Sequence, residues 1–155
     1  MKSIIEKALV ALLALFILYP VTGYSQDGVR TIEVSGLDNM RYDKEIIEAQ
    51  PGEELRIVFT TESDMPPQAM QHNLVIMTLE ADADDFAMAS MMSPDTDYIA
   101  PDRDDEYIAR TEMIPGGETS EITFTVPEET GDYTYICTFP GHYMGGMMGT
   151  LQVRE

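Results

Sequence analysis

The stretch Cys137-Thr138-Phe139-Pro140-Gly141-His142-Tyr143-Met144-Gly145-Gly146-Met147 gathers a thiol, an imidazole and thioethers in one short run. Pro140-Gly141 predicts a tight turn that aims the Cys and His side chains the same way. A thiolate and imidazoles with a weak thioether suit copper in both oxidation states, because sulfur stabilises Cu(I) and nitrogen tolerates Cu(II). The chain holds only 2 His and 1 Cys, so a second imidazole can come only from His72, far upstream in Met70-Gln71-His72-Asn73. Each residue alone has a plainer reading: a lone Cys is most often a small buried hydrophobe, and Met in a Met-rich chain is usually packing. Their conjunction points to a metal.

Outward from that loop the chain reads as an all-β protein. Short runs alternate apolar and polar residues between Gly, Pro and Asp clusters. Thr31 to Val34 is one such run. Leu55, Ile57 and Phe59 share a face in the next, and Ile122, Phe124 and Val126 do so in a third. Thr134 to Thr138 leads into the loop and Thr150 to Val153 leads out. His72 to Leu79 is apolar on both faces, as a strand covered on both sides would be. Together these runs predict an antiparallel sandwich or barrel. Glu80 to Tyr107 breaks the rhythm with ten acidic residues and an Ala/Met-rich piece, Phe86 to Met92, that predicts a short helix outside the sheets; its acidity reads as a solvated surface.

Composition bounds the rest. The chain has 155 residues, 28 acidic against 9 basic side chains and a formal charge of -19, which disfavours nucleic acid and anionic lipid as partners. A single Cys allows no internal disulfide. Lys2 and Lys7 precede an apolar run from Ala8 to Tyr19, followed by Pro20 and the small residues Gly23 and Ser25, the pattern of a secretory signal. The expectation is a signal peptide over residues 1–25 and a single mature domain over 26–155, periplasmic or secreted. The apolar run is too short to span a bilayer, so no stable membrane insertion is expected after cleavage.

Cys137-Thr-Phe-Pro-Gly-His142, the preceding Tyr133 to Ile136 and the closing Gly149-Thr150-Leu151 resemble the ligand loop of the azurin and auracyanin branch of the cupredoxins, the small blue copper proteins. The resemblance extends to Met70-Gln71-His72-Asn73, to Asn39-Met40-Arg41-Tyr42 and to the acidic excursion, where azurins carry a helical flap. It implies a cupredoxin-like Greek-key β-sandwich or barrel with a short helical flap. By position it makes His72, Cys137 and His142 the strong ligands of one type 1 copper ion, with a Met as the weak axial ligand. The loop is one residue longer than in azurin, and anchoring on Gly149-Thr150-Leu151 selects Met147 over Met144 and Met148. Gln71 stands where azurin has a Gly whose carbonyl approaches the metal. Asn73 takes the position of an Asn that ties the His72 strand to the Cys137 loop.

The implied function is one-electron carriage between redox proteins, such as a c-type cytochrome or a copper or haem oxidoreductase. An apolar patch of Met40, Phe139, Pro140 and Met144 around His142 is expected to meet them. No His remains for a second metal site, which disfavours a copper enzyme. The rival reading is a periplasmic copper chaperone or sequestration protein using Met70, Met88, Met91, Met92, Met144, Met147 and Met148 as soft Cu(I) donors.

Overall fold

The computed structural model describes residues 28–155; the expected signal segment, residues 1–25, lies outside them. Eleven strands and one α-helix follow in the order β1 (Arg30–Leu37), β2 (Arg41–Tyr42), β3 (Ile46–Ala49), β4 (Glu54–Glu62), β5 (Gln71–His72), β6 (Val75–Met77), α1 (Ala83–Met91), β7 (Tyr107–Arg110), β8 (Ile114–Pro115), β9 (Thr119–Thr125), β10 (Gly131–Ile136) and β11 (Met148–Val153). They form a four-stranded sheet, β2-β1-β4-β9, a five-stranded sheet, β3-β11-β10-β6-β7, and a small β5-β8 ribbon. The two large sheets stack as a sandwich and do not close into a barrel.

Alternation decides which side chains meet between the sheets. β4 shows it most plainly, with Leu55, Ile57 and Phe59 wholly buried and their neighbours partly exposed. Tyr42 bridges the layers, its ring edge-on to Phe59 at 6.0 Å and to Tyr135 at 5.1 Å between centroids. Aromatic pairs prefer such edge contacts because the positive ring edge meets the negative face.

Two expectations are corrected here. The sandwich is mixed: β1 pairs parallel to β4, and β11 pairs parallel to β3. The apolar run from His72 to Leu79 is also not one strand. It breaks after His72, so that β5 pairs with β8 and β6 enters the five-stranded sheet between β10 and β7. The reading of that run as covered on both sides holds for β6. Ile76 faces the main core, while Val75 and Met77 pack with Phe86, Ala87, Ile99 and Ile136 beneath the helix.

The acidic excursion forms that helical flap. Asp82 caps α1 by accepting the Asp85 N–H at 3.1 Å, and Asp84 and Asp85 lie in the first turn, where negative charge suits the helix dipole. Not all of its acids are merely solvated. Arg103 pairs with Asp85 at 2.8 Å and with Glu106, and its guanidinium lies 5.6 Å from the Phe86 ring centroid. Among the described residues no helix is long and apolar enough to cross a membrane.

Candidate metal centre

His72, Cys137 and His142 converge at one end of the sandwich, all three buried. His72 arrives on β5, Cys137 follows the end of β10, and His142 follows the turn. In that turn the His142 N–H donates to the Phe139 carbonyl at 3.0 Å, with Gly141 at φ 86°. Pro then Gly at the two central positions, the Gly with positive φ, is the signature of a type II turn. The loop closes on itself: the Met147 N–H donates to the His142 carbonyl at 2.9 Å, and the Cys137 N–H donates to the Met147 carbonyl at 3.2 Å.

The donor atoms form a triangle. His72 Nδ1 and His142 Nδ1 are 3.1 Å apart, and Cys137 Sγ lies 3.8 Å from the first and 3.6 Å from the second. A point in their plane lies about 2.0 Å from all three atoms, a bond length for a first-row metal to nitrogen and a little short of one to sulfur. Two imidazole nitrogens turned towards each other this closely need a hydrogen or a cation between them. The donor set therefore fits a copper ion.

Burial sets the protonation of the metal-free site. It pushes the Cys137 thiol up to about 12, opposed by the Asn73 and Phe139 backbone N–H groups that reach the sulfur. It lowers both His to about 4, with His142 adding to the effect on His72. At neutral pH both rings are neutral and offer lone pairs. His72 Nε2 is buried without a hydrogen-bond partner of normal geometry, the Leu37 carbonyl coming nearest that role, so Nδ1 is the nitrogen left to a metal.

The depressed His values give the metal-free fold a pH dependence. Unfolding restores both rings to about 6.5, so below that pH the unfolded chain binds more protons than the folded one. Stability is full above pH 6.5 and falls as pH drops through about 4. The loss is on the order of a few kcal/mol. Urea midpoints of the metal-free protein at pH 7 and pH 4.5 measure it. A slope no steeper than that of a His72→Gln/His142→Gln variant would refute it.

Several groups hold the triangle in place. The Asn73 amide donates to Thr138 Oγ1 at 2.8 Å and accepts the Thr138 N–H at 2.9 Å, the link between the His72 strand and the Cys137 loop expected for this Asn. The Tyr42 hydroxyl donates to the Asn73 carbonyl at 2.7 Å. Arg41 donates to the carbonyls of Met40 at 2.7 Å and Gly145 at 2.6 Å, which pins the far side of the loop. Tyr143 packs against the apolar cluster beneath α1, which draws the loop towards the helix. The bracing by Arg41 was not legible in the sequence, because its loop partner lies 104 residues away with no local pattern to mark the pair.

Gly36 on β1 was missed for the same reason. A Cβ there would stand 2.9 Å from His72 Cδ2 and 3.0 Å from its Cβ and Cγ. Gly36→Ala is expected to cost about 1–3 kcal/mol and to turn the His72 ring. Thermal melting together with the visible spectrum of the copper-loaded variant tests it, and wild-type values in both would rule out the contact.

The loop methionines divide clearly. Met147 is wholly buried among the core residues, whereas Met144 is 67% and Met148 41% exposed. Of the expected patch around His142, Phe139 lies against the imidazole at 4.7 Å between ring centroids, and Pro140 and Met144 face solvent. His142 keeps 4% exposure where His72 has none, so its ring is the one nearer the surface.

A buried thiol and two imidazoles of this geometry, at one end of a Greek-key sandwich, define a cupredoxin with one type 1 copper ion. The chain belongs to the plastocyanin/azurin family of copper-binding proteins, whose family model matches residues 30–154. It is 32% identical over 126 residues to azurin from Alcaligenes faecalis, covering 79% of this chain and 96% of that one. It is 38% identical over 111 residues to outer membrane protein H.8 of Neisseria gonorrhoeae, covering 70% of this chain, and it spans 60% of the length of that relative. The solved structure of auracyanin A, a blue copper protein from Chloroflexus aurantiacus, superposes with a TM-score of 0.72 at 35% identity, covering 82% of this chain and all of that one.

Proposed function

We propose that the chain is an exported carrier of single electrons in which His72, Cys137 and His142 hold the copper ion and Met147 supplies the weak axial thioether. The observation that carries this reading is the buried triangle of Nδ1, Nδ1 and Sγ atoms. Copper bound there supplies a one-electron couple. The chain's own part is to keep the donors where neither oxidation state has its preferred geometry, so little moves when an electron arrives. The braces at Asn73, Arg41 and Tyr143 serve that rigidity. Burial keeps water from the metal, and the two N–H groups at Cys137 Sγ temper the charge on sulfur, a known lever on reduction potential.

Electrons pass through the His142 edge of the site to redox proteins such as a c-type cytochrome or a copper or haem oxidoreductase. The acidic surface steers basic partners towards it. The reading places residues 1–25 as a removed signal and 26–155 as one domain working in the periplasm or outside the cell, and it assigns no catalysis.

The test is the visible spectrum of the protein loaded with one equivalent of copper and treated with a mild oxidant. An intense blue band that bleaches on reduction and returns on reoxidation by a c-type cytochrome is the expected result. A colourless protein that still holds Cu(I) tightly would instead favour copper storage or delivery.

A further inference from the structure

The chain has 12 Met, and the fold sorts them. Met70 and Met147 are buried, while Met88, Met92 and Met144 are 50%, 75% and 67% exposed. Exposed Met side chains gain little from burial, so packing does not explain them. Met88 and Met91 are spaced i, i+3 on α1 and share a face of the helix. Across from them stands Met144 of the ligand loop, and the three line one cavity of about 10 Å³ together with Tyr143, Phe139 and Gly141. That is the volume of one small ion or water molecule. Tyr143 packs against the cluster of Phe86 and Ala87 under the helix and so keeps the loop close to it.

We propose that Met88, Met91 and Met144 form a second copper site, selective for Cu(I), on the outer wall of the loop that carries Cys137 and His142. The donors are neutral and soft, and the lining holds no carboxylate, imidazole or amine. Such a set prefers Cu(I) to Cu(II), zinc or the hard divalent ions. Asp82, Asp84 and Asp85 at the start of α1 raise the local concentration of cations without entering the lining. Gly141 lines the cavity and precedes His142, and Thr138 lines it and follows Cys137. The site therefore holds Cu(I) one loop thickness from the buried triangle, where it stages the metal for loading. That staging role rests on the blue copper reading; the binding does not.

Ag(I), a redox-inert stand-in for Cu(I), tests the proposal on the copper-loaded, reduced protein with its Met ε-methyl groups labelled for NMR. One equivalent is expected to shift the Met88, Met91 and Met144 methyls together and leave exposed Met65 unmoved. Met88→Leu/Met91→Leu, which keeps apolar bulk and removes two donors, is expected to lose that equivalent while the copper-loaded form keeps its visible band. Equal shifts at all exposed Met, no shift at any, or undiminished binding by the double variant would overturn the site. Absence of a blue band in the wild-type protein would count against the electron-carrier reading alone, because the Ag(I) shifts are read independently of it.

Discussion

Cys137→Ser is expected to remove nearly all visible absorption of the Cu(II)-loaded protein while leaving the fold intact. The intense band of such a centre comes from transfer of charge from thiolate sulfur to Cu(II), and an alkoxide-forming hydroxyl offers no equivalent donor at neutral pH. The substitution also changes a proton count. Burial holds the Cys137 thiol near 12, so the metal-free protein keeps its S–H at pH 7 and must release that proton when copper binds. Both His, held near 4, have none to lose. Copper loading in weak buffer should thus release about one proton per ion from the wild-type protein and close to none from Cys137→Ser. Thermal melting of the metal-free variant within a few degrees of wild type would show that the fold survived. A variant that stayed intensely blue, or that still released the proton, would displace Cys137 from the centre.

Asn73→Ala is expected to have the largest effect on stability. The Asn73 side chain makes two hydrogen bonds to Thr138, and both residues are buried, so its loss leaves the Thr138 N–H and hydroxyl unpaired where water does not reach. An orphaned buried polar group costs about 1–3 kcal/mol, and two of them suggest roughly 3 kcal/mol and a fall of about 10 °C in Tm. Thr138→Val removes only the hydroxyl and should cost less. In a double-mutant cycle the two changes should couple by at least about 1 kcal/mol. Additive losses would mean that the link between the His72 strand and the Cys137 loop contributes nothing beyond its separate halves. The copper-loaded Asn73→Ala protein should also show a shifted reduction potential, because the Asn73 N–H at the sulfur moves with its residue.

What could be read in advance was what local pattern records. The Pro140-Gly141 turn, the alternation on β4 and the covered character of β6 are each written in neighbouring residues, and each reappears in the structure. The division of His72 to Leu79 is not, because two strands buried in different sheets give the same apolar run as one strand buried on both faces. The parallel partners of β1 and β11 are likewise invisible to periodicity, which fixes faces but not neighbours. His72 was reachable only because the chain has no other spare imidazole. Gly36 and Arg41 touch the site across such sequence distance that nothing adjacent to them signals it.

The position of β11 has a bearing on how the molecule comes into being. The last strand of the described chain is an interior strand of its sheet, lying between β3 and β10. Until Met148–Val153 is in place, β3 has no neighbour in that sheet, and the loop before β11 lacks the strand that carries on from its far end. Distant pairings of this kind pay loop-closure entropy before they are rewarded, so folding should be slow, in the range of about milliseconds to seconds, and close in one late step. Closure of the metal loop, and with it tight capture of the cofactor, should therefore coincide with the docking of β11 between β3 and β10.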